Sequence, residues 1–506
     1  MKRLSLLSLL LIASISCQGA GVGESPDASH EEEIAAHIER IESALMPALI
    51  IAGEPDQSST LAERMAYHQV PAVSVAVIND GQIEWARAWG LADVEGGRLA
   101  DTETLFQAAS ISKPVAALAA LKLVDEGVLE LDGDVNDKLT SWQMPLNEHS
   151  EDNPVTLRRL VTHTAGLTVN GFPGYAKGDD VPGTVGVLDG EGNTDPIRVD
   201  TEPGTIWRYS GGGYTVMQLL VEDAAGQPFA DYLRETVLLP LGMVHSTYEQ
   251  PLPETLWADA ASGYRADGTK VEGDWHIYPE MAAAGLWTTP SDLAQYALAI
   301  QKAHAAGSET RADSTRSAGA AHPVISAEMV EALLTPDKNN HGLGPSLSSD
   351  GRRFDHGGSN EGFRCAMIAY LDRDQGVVVM TNSDSGGNIM IEILMTLVDE
   401  YGWDDTELTP TIKHVVQLDV EVLDRYVGRY HATDLTLAPE GSEATVSLED
   451  SRLWIDLPWG AHIELLPESE TTFFLRDGAA PLEFLIEGGE VVGFLYARSI
   501  RADKIE

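Results

Sequence analysis

Only two cysteines occur in 506 residues, Cys17 and Cys365. Cys17 stands in a leader segment, so no disulfide is expected in the mature monomer, and a cysteine metal site or dithiol redox chemistry is excluded. Basic residues are scarce as well: Lys+Arg 33 against Asp+Glu 79 gives a formal net charge of -46. Such a surface repels phosphate backbones, and counterion release needs clustered Lys and Arg, so nucleic acid is excluded as a partner. The acidic residues are spread along the chain instead of forming a tail, which reads as a solvated acidic surface. The histidines are scattered without ligand spacing, which argues against zinc.

Long apolar runs are missing too. Met1, Lys2 and Arg3 precede an apolar stretch from Leu4 to Ile15 that is too short to span a bilayer. This pattern predicts a signal peptide over residues 1–17 and an exported protein, periplasmic or held at the outer membrane of a bacterium. Cys17 is the lipidation candidate, which would anchor the chain to a membrane; the other reading is an ordinary cleaved signal with an incidental cysteine.

After a linker over residues 18–30, a first domain is expected over 31–405, a linker over 406–417 and a second domain over 418–506. Ile34, Ile38, Ile41, Leu45 and Leu49 recur at helical steps. Val73 to Ile78 and Ile83 to Trp89, joined by Asn79-Asp80-Gly81, read as a β-hairpin. The run from Pro114 to Val124 is apolar on nearly every side, with Gly127 just beyond it, and predicts a buried central helix. The middle is helical with long loops: Gly171 to Gly204 is a candidate lid, and Ala305 to Ala321 a low-complexity insertion. Strands return at Phe363 to Tyr370 and Val377 to Thr381, followed by a helix from Ile389 to Tyr401. The last domain carries short alternating runs at Glu443–Leu448, Leu453–Leu457, Ile463–Leu466, Thr472–Leu475 and Val491–Tyr496, which predict a small antiparallel β-barrel. Its aromatic residues read as barrel filling.

Ser110-Ile111-Ser112-Lys113 puts a hydroxyl and an amine three residues apart at the start of the buried helix, on one face. Burial disfavours a charged lysine, which is the direction a base needs, and a helix N-terminus favours an oxyanion. Ser-x-x-Lys alone is weak, because a chain of this length supplies roughly half a match by chance. Two further elements follow in order: Tyr209-Ser210-Gly211, and Asp355-His356-Gly357-Gly358-Ser359. Gly-x-Ser-x-Gly is absent, which argues against an α/β-hydrolase elbow.

Together these motifs resemble the serine β-lactamase, penicillin-binding protein and β-lactamase-like esterase superfamily, with the class C branch nearest. Supporting segments are Phe106 to Ser110, Leu160 to Leu167, Gly285 to Leu293 and Gly358 to Phe363. The resemblance implies an α+β fold: an antiparallel sheet with flanking helices and a helical subdomain, followed here by the β-barrel-like domain. It implies Ser110 as nucleophile, and Lys113 with Tyr209 as the coupled proton-transfer pair. Backbone N–H groups of Ser110 and Ser359, beside Gly358 and His356, would form the oxyanion and substrate-binding edge. An acyl-enzyme would form and be hydrolysed with no cofactor.

Two departures shape the expected substrate. Gly211 stands where the family carries Asn, and His356 where many members carry Lys, which weakens the case for β-lactams and favours small esters, amides or D-amino-acid peptides. The alternatives are a β-lactamase or D-alanyl-D-alanine carboxypeptidase and, in another class, a non-catalytic cell-wall-fragment binder or scaffold. His356 reads either as a group acting on substrate or as support for its turn, and His163 as a structural histidine in a helix-to-loop turn.

Overall fold

The computed structural model describes residues 26–312, 323–432, 443–457 and 462–505. Cys17 and the leader over residues 1–17 lie outside the described residues, as do residues 313–322 of the expected insertion. Its first helix, Pro26–Ser43, ends six residues short of Leu49, the last position of the helical periodicity. Pro47 explains the difference: it has no N–H to donate and holds the preceding residue out of helical geometry. Leu49 instead begins β1 (Leu49–Ile51). In the middle of the chain, the helix Pro290–Ala312 runs through Ala305, so the start of the expected insertion is helical.

The first domain is built on a seven-stranded antiparallel sheet. Its early strands are β2 (Ala72–Asn79), β3 (Gln82–Asp93) and β4 (Arg98–Leu99). Asp80 and Gly81 both adopt positive φ, 49° and 69°, the turn that matches strand twist in a two-residue hairpin. β5 (Phe106–Gln107) and β6 (Trp287–Thr288) form a separate antiparallel ribbon. The sheet is completed by β7 (Ser346–Leu347), β8 (Arg353–Asn360), β9 (Phe363–Tyr370) and β10 (Gly376–Thr381), in the order β4-β3-β2-β10-β9-β8-β7. The two ends of the domain thus meet at the β2–β10 seam.

Alternation along β2 feeds two cores. Val73, Val75 and Val77 pack with Ile41, Leu61 and Ile393 on one face, under the helices Pro26–Ser43, Leu61–Tyr67 and Gly386–Glu400. Ala72, Ala76 and Ile78 join the other core with the helix Ser112–Asp125. Every residue of that helix from Ser112 to Leu121 is buried. Full burial of one Val, Leu or Ile side chain contributes about 1.5–3 kcal/mol, so the central helix is fixed by packing on all sides.

β11 (Thr411–Lys413) pairs in parallel with β1, so three residues of the expected linker over 406–417 form a strand. Glu407 also meets Arg353 on β8 at 2.8 Å. The last domain closes an antiparallel barrel from β12 (Gly428–Ala432), β13 (Glu443–Glu449), β14 (Arg452–Asp456), β15 (His462–Pro467), β16 (Thr472–Leu475), β17 (Gly478–Glu487), β18 (Glu490–Tyr496) and β19 (Ile500–Lys504). Leu49 and Ile51 pack with Leu466 and Phe474 of the barrel, and Lys413 Nζ lies 3.0 Å from both carboxylate oxygens of Glu468.

Candidate active site

Ala109 holds a left-handed φ of 48°, uncommon for a residue with a Cβ, in the tight turn just before the helix Ser112–Asp125. That turn presents Ser110, half-buried, at the head of the helix. Lys113, 2% exposed, donates from Nζ to Ser110 Oγ at 3.0 Å and to Ala283 O at 2.8 Å. Two of its three donor directions are therefore fixed. Ser112, by contrast, is committed to structure: its Oγ accepts from Leu286 N at 3.0 Å and its carbonyl from Tyr248 OH at 2.6 Å. Only Ser110 of this pair presents its hydroxyl to the amine.

Tyr209 arrives from the helix Gly211–Ala225, which Ser210 caps by accepting from Gly213 N at 3.1 Å. Lys113 Nζ sits 4.9 Å from the centre of the Tyr209 ring. The Gly211-Gly212 pair has a packing reason: a Cβ on Gly211 would lie 2.9 Å from the Phe172 ring, and one on Gly212 2.9 Å from Thr168 O. Gly211, where the family has Asn, and Gly212 together thus let the loop over 168–172 lie against the helix start.

β8 supplies the opposite wall. A Cβ on Gly358 would collide with Ala108 O and Cys365 Sγ, so only glycine lets this edge approach the turn that carries Ser110. Ser359, next along the strand, is exposed. Asn360 donates to Gln107 Oε1 at 2.7 Å and to Ala284 O at 3.1 Å, tying β8 to β5 and to the short helix Met281–Ala284 that receives Lys113.

Three imidazoles surround the pair. His356 Nδ1 lies 2.6 Å from Gly357 O, and since a carbonyl only accepts, Nδ1 carries the proton and Nε2 is a bare acceptor. Burial, then the Lys113 charge, push its pKa down to about 3. Burial likewise lowers His341 to about 4 and holds His163 well below its ordinary value. All three are neutral at physiological pH. The sequence singled out His163 and His356 but not His341, a solitary residue outside any motif; only tertiary packing brings its ring 4.8 Å from His163. Glu280, also unmarked, is fully buried just before Met281, and neither carboxylate oxygen has a hydrogen-bond partner among the described residues. Burial pushes its pKa up to about 7.

The structure thus brings Ser110, Lys113, Tyr209, His356, Gly358 and Ser359 together. An antiparallel sheet with a buried Ser-x-x-Lys helix beside a Tyr and a glycine-bearing strand defines the class of serine hydrolases built like β-lactamases and penicillin-binding proteins. The model of the Beta-lactamase family matches residues 58–395, and the chain belongs to that family and is a serine hydrolase. Residues 413–504 match a domain of unknown function, DUF3471. The chain is 27% identical to penicillin-binding protein 4* of Bacillus subtilis (strain 168), over 82% of this chain and 90% of that protein. It is 36% identical to esterase EstB of Burkholderia gladioli over 37% of this chain and 48% of the esterase. Among solved structures, the octameric penicillin-binding protein homologue from Pyrococcus abyssi superposes with a TM-score of 0.56 at 22% identity, covering 88% of this chain and 98% of that one.

Proposed function

We propose that this hydrolase cleaves esters or amides of small acyl groups or D-amino-acid peptides through an acyl-enzyme on Ser110. The observation that carries the reading is the 3.0 Å contact between buried Lys113 Nζ and Ser110 Oγ. In its neutral form Lys113 turns its lone pair to this contact, accepts from Ser110 Oγ and, coupled to Tyr209, takes the Ser110 proton while Oγ bonds to the substrate carbonyl carbon. The N–H groups of Ser110 and Ser359 meet the oxyanion. Collapse breaks the acyl bond, and the departing alcohol or amine takes the proton held by the pair. Water then gives up a proton to the same pair, adds to the acyl carbon, and releases the acid with Ser110 reprotonated.

His356 favours this substrate order over β-lactams. Its Nε2 offers a lone pair, which suits a substrate N–H or O–H, where a carboxylate-bearing β-lactam or peptide terminus calls for a cation. A fluorophosphonate probe should label Ser110, and Ser110→Ala should abolish labelling and turnover. Nitrophenyl esters should be cleaved faster than a chromogenic cephalosporin or a D-Ala-D-Ala peptide. Full activity in Ser110→Ala defeats the reading, and a cephalosporin rate far above the ester rate reverses the substrate order.

The apolar leader supports export, with Cys17 as the site of lipid anchoring. Mass spectrometry of the mature N-terminus should find a diacylglycerol adduct on Cys17; an unmodified N-terminus beyond that residue refutes anchoring.

A further inference from the structure

His163 grips the chain around Tyr209 at three points. Its carbonyl accepts from Arg208 N at 2.9 Å, on one side of the tyrosine. Its Nδ1 accepts from Ser210 N at 3.1 Å, on the other side. Its ring packs on the Tyr209 ring itself, 4.2 Å between centroids at 34°. To do so His163 takes a φ of 60° and is 2% exposed, a costly conformation for a side chain whose ring nitrogens have, among the described residues, that one backbone N–H as their hydrogen-bond partner. A residue needed merely to fill the turn after the helix Leu157–Val161 has no reason to bracket a neighbour in this way.

We infer that His163 is the positioning residue for Tyr209: its Nδ1, by accepting from Ser210 N, sets the distance between the tyrosine and Lys113. Because Nδ1 accepts, the ring proton sits on Nε2, which is buried without a hydrogen-bond partner among the described residues, as is Nε2 of His341 on the adjoining ring. Burial and the nearby His341 and Lys113 disfavour a second proton, so the acceptor at Nδ1 persists across the working range of pH. His163 touches neither Ser110 nor substrate in this account; it acts through Tyr209. The inference rests on the proton-transfer role assigned to Tyr209 above.

Three variants of the full chain separate positioning from bulk structure. His163→Asn places an oxygen where Nδ1 was and tolerates positive φ. His163→Gln keeps polarity but moves the acceptor towards the Nε2 position. His163→Phe keeps the ring face and removes the acceptor. With a nitrophenyl ester, the Gln and Phe variants should lose roughly 10- to 100-fold in kcat, with KM unchanged within about twofold, since a misplacement near 1 Å costs on that order. The Asn variant should recover to within roughly fivefold of the parent. Thermal midpoints and labelling-competent fractions correct each rate for folding. If Phe does not fold, the Asn–Gln comparison still decides: equal kcat for the two overturns the inference, as does parental kcat in a folded His163→Phe. Tyr209→Phe and Ser110→Ala run alongside. Full activity in Tyr209→Phe removes the reading on which the inference stands, whereas an inactive Tyr209→Phe beside fully active His163 variants removes the inference alone.

Discussion

Glu280→Gln should change how stability depends on pH, with a sign and size that the structure supplies. Glu280 is fully buried with neither oxygen hydrogen-bonded among the described residues, and burial raises its pKa from 4.5 to about 7. Below pH 4.5 the carboxyl is protonated in both folded and unfolded chains and contributes no pH dependence. Between 4.5 and about 7 the unfolded chain releases this proton while the folded chain keeps it, so stability falls as pH rises; above about 7 the loss is complete. About 2.5 pH units at about 1.36 kcal/mol each amounts to about 3 kcal/mol. Gln is neutral throughout and escapes that loss, though its amide is also buried and costs about 1–3 kcal/mol at every pH. The decisive quantity is therefore the difference between the two proteins at pH 8 minus that at pH 4.5. Urea unfolding read by tryptophan fluorescence is a suitable assay, since the tryptophans lie mostly in the first domain. The variant should gain about 3 kcal/mol relative to the parent across this range. Parallel pH profiles would refute the account of Glu280 as a buried acid held protonated.

The imidazoles should act at the other end of the scale. His341 is lowered from 6.5 to about 4, so its contribution is complete above 6.5 and is lost as pH falls below it; His341→Asn should flatten acid unfolding by about 3 kcal/mol over pH 6.5 to 4. Lys113→Met should keep the fold by circular dichroism and lose roughly 10²–10⁴-fold in kcat, and a smaller loss would deny it the role of base. Gly358→Ala forces a Cβ against Ala108 O and Cys365 Sγ, and should cost about 1–3 kcal/mol in denaturant and slow fluorophosphonate labelling of Ser110. Phe474→Ala should loosen the barrel from β1, losing about 3–5 kcal/mol and speeding proteolysis within residues 406–417; an unchanged cleavage rate would mean that polar contacts such as Lys413–Glu468, not this apolar packing, hold the barrel in place.

Periodicity made the elements with one strong pattern legible: the Asn79-Asp80-Gly81 hairpin, the all-apolar helix after Ser110, and the five barrel strands with clear alternation. The strands Gly428–Ala432, Gly478–Glu487 and Ile500–Lys504 were hidden because barrel closure, not their own pattern, decides their state. β11 was hidden for a related reason: the exposed Thr411 and Ile412 and the half-buried Lys413, in a polar stretch, become a strand only because β1 lies beside them. Among the site residues, motifs carried Ser110, Lys113, Tyr209 and His356. The receiver of Lys113 is a backbone carbonyl, Ala283 O, which leaves no mark on side-chain identity. His341 and Glu280 acquire their character from burial, which a local motif does not encode.

Charge at two ranges bears on substrate choice. The net charge of -46 would by itself disfavour every anionic substrate. Yet screening at physiological salt confines the pull of exposed charges to about 8 Å, so distant acidic residues have little hold on a group already seated beside Ser110. There the local groups decide. Lys113 has one donor on Ser110 and another on Ala283 O, and the three imidazoles are neutral. None of the three rings offers a fixed cation to pair with a substrate carboxylate. On the proposed reading, the acidic surface affects the rate of encounter and its dependence on salt, while His356 sets preference once the substrate is bound. Raising ionic strength should then bring ester and carboxylate-bearing substrates closer in kcat/KM without making their kcat values equal. A preference that disappears at high salt would move its origin from His356 to the surface.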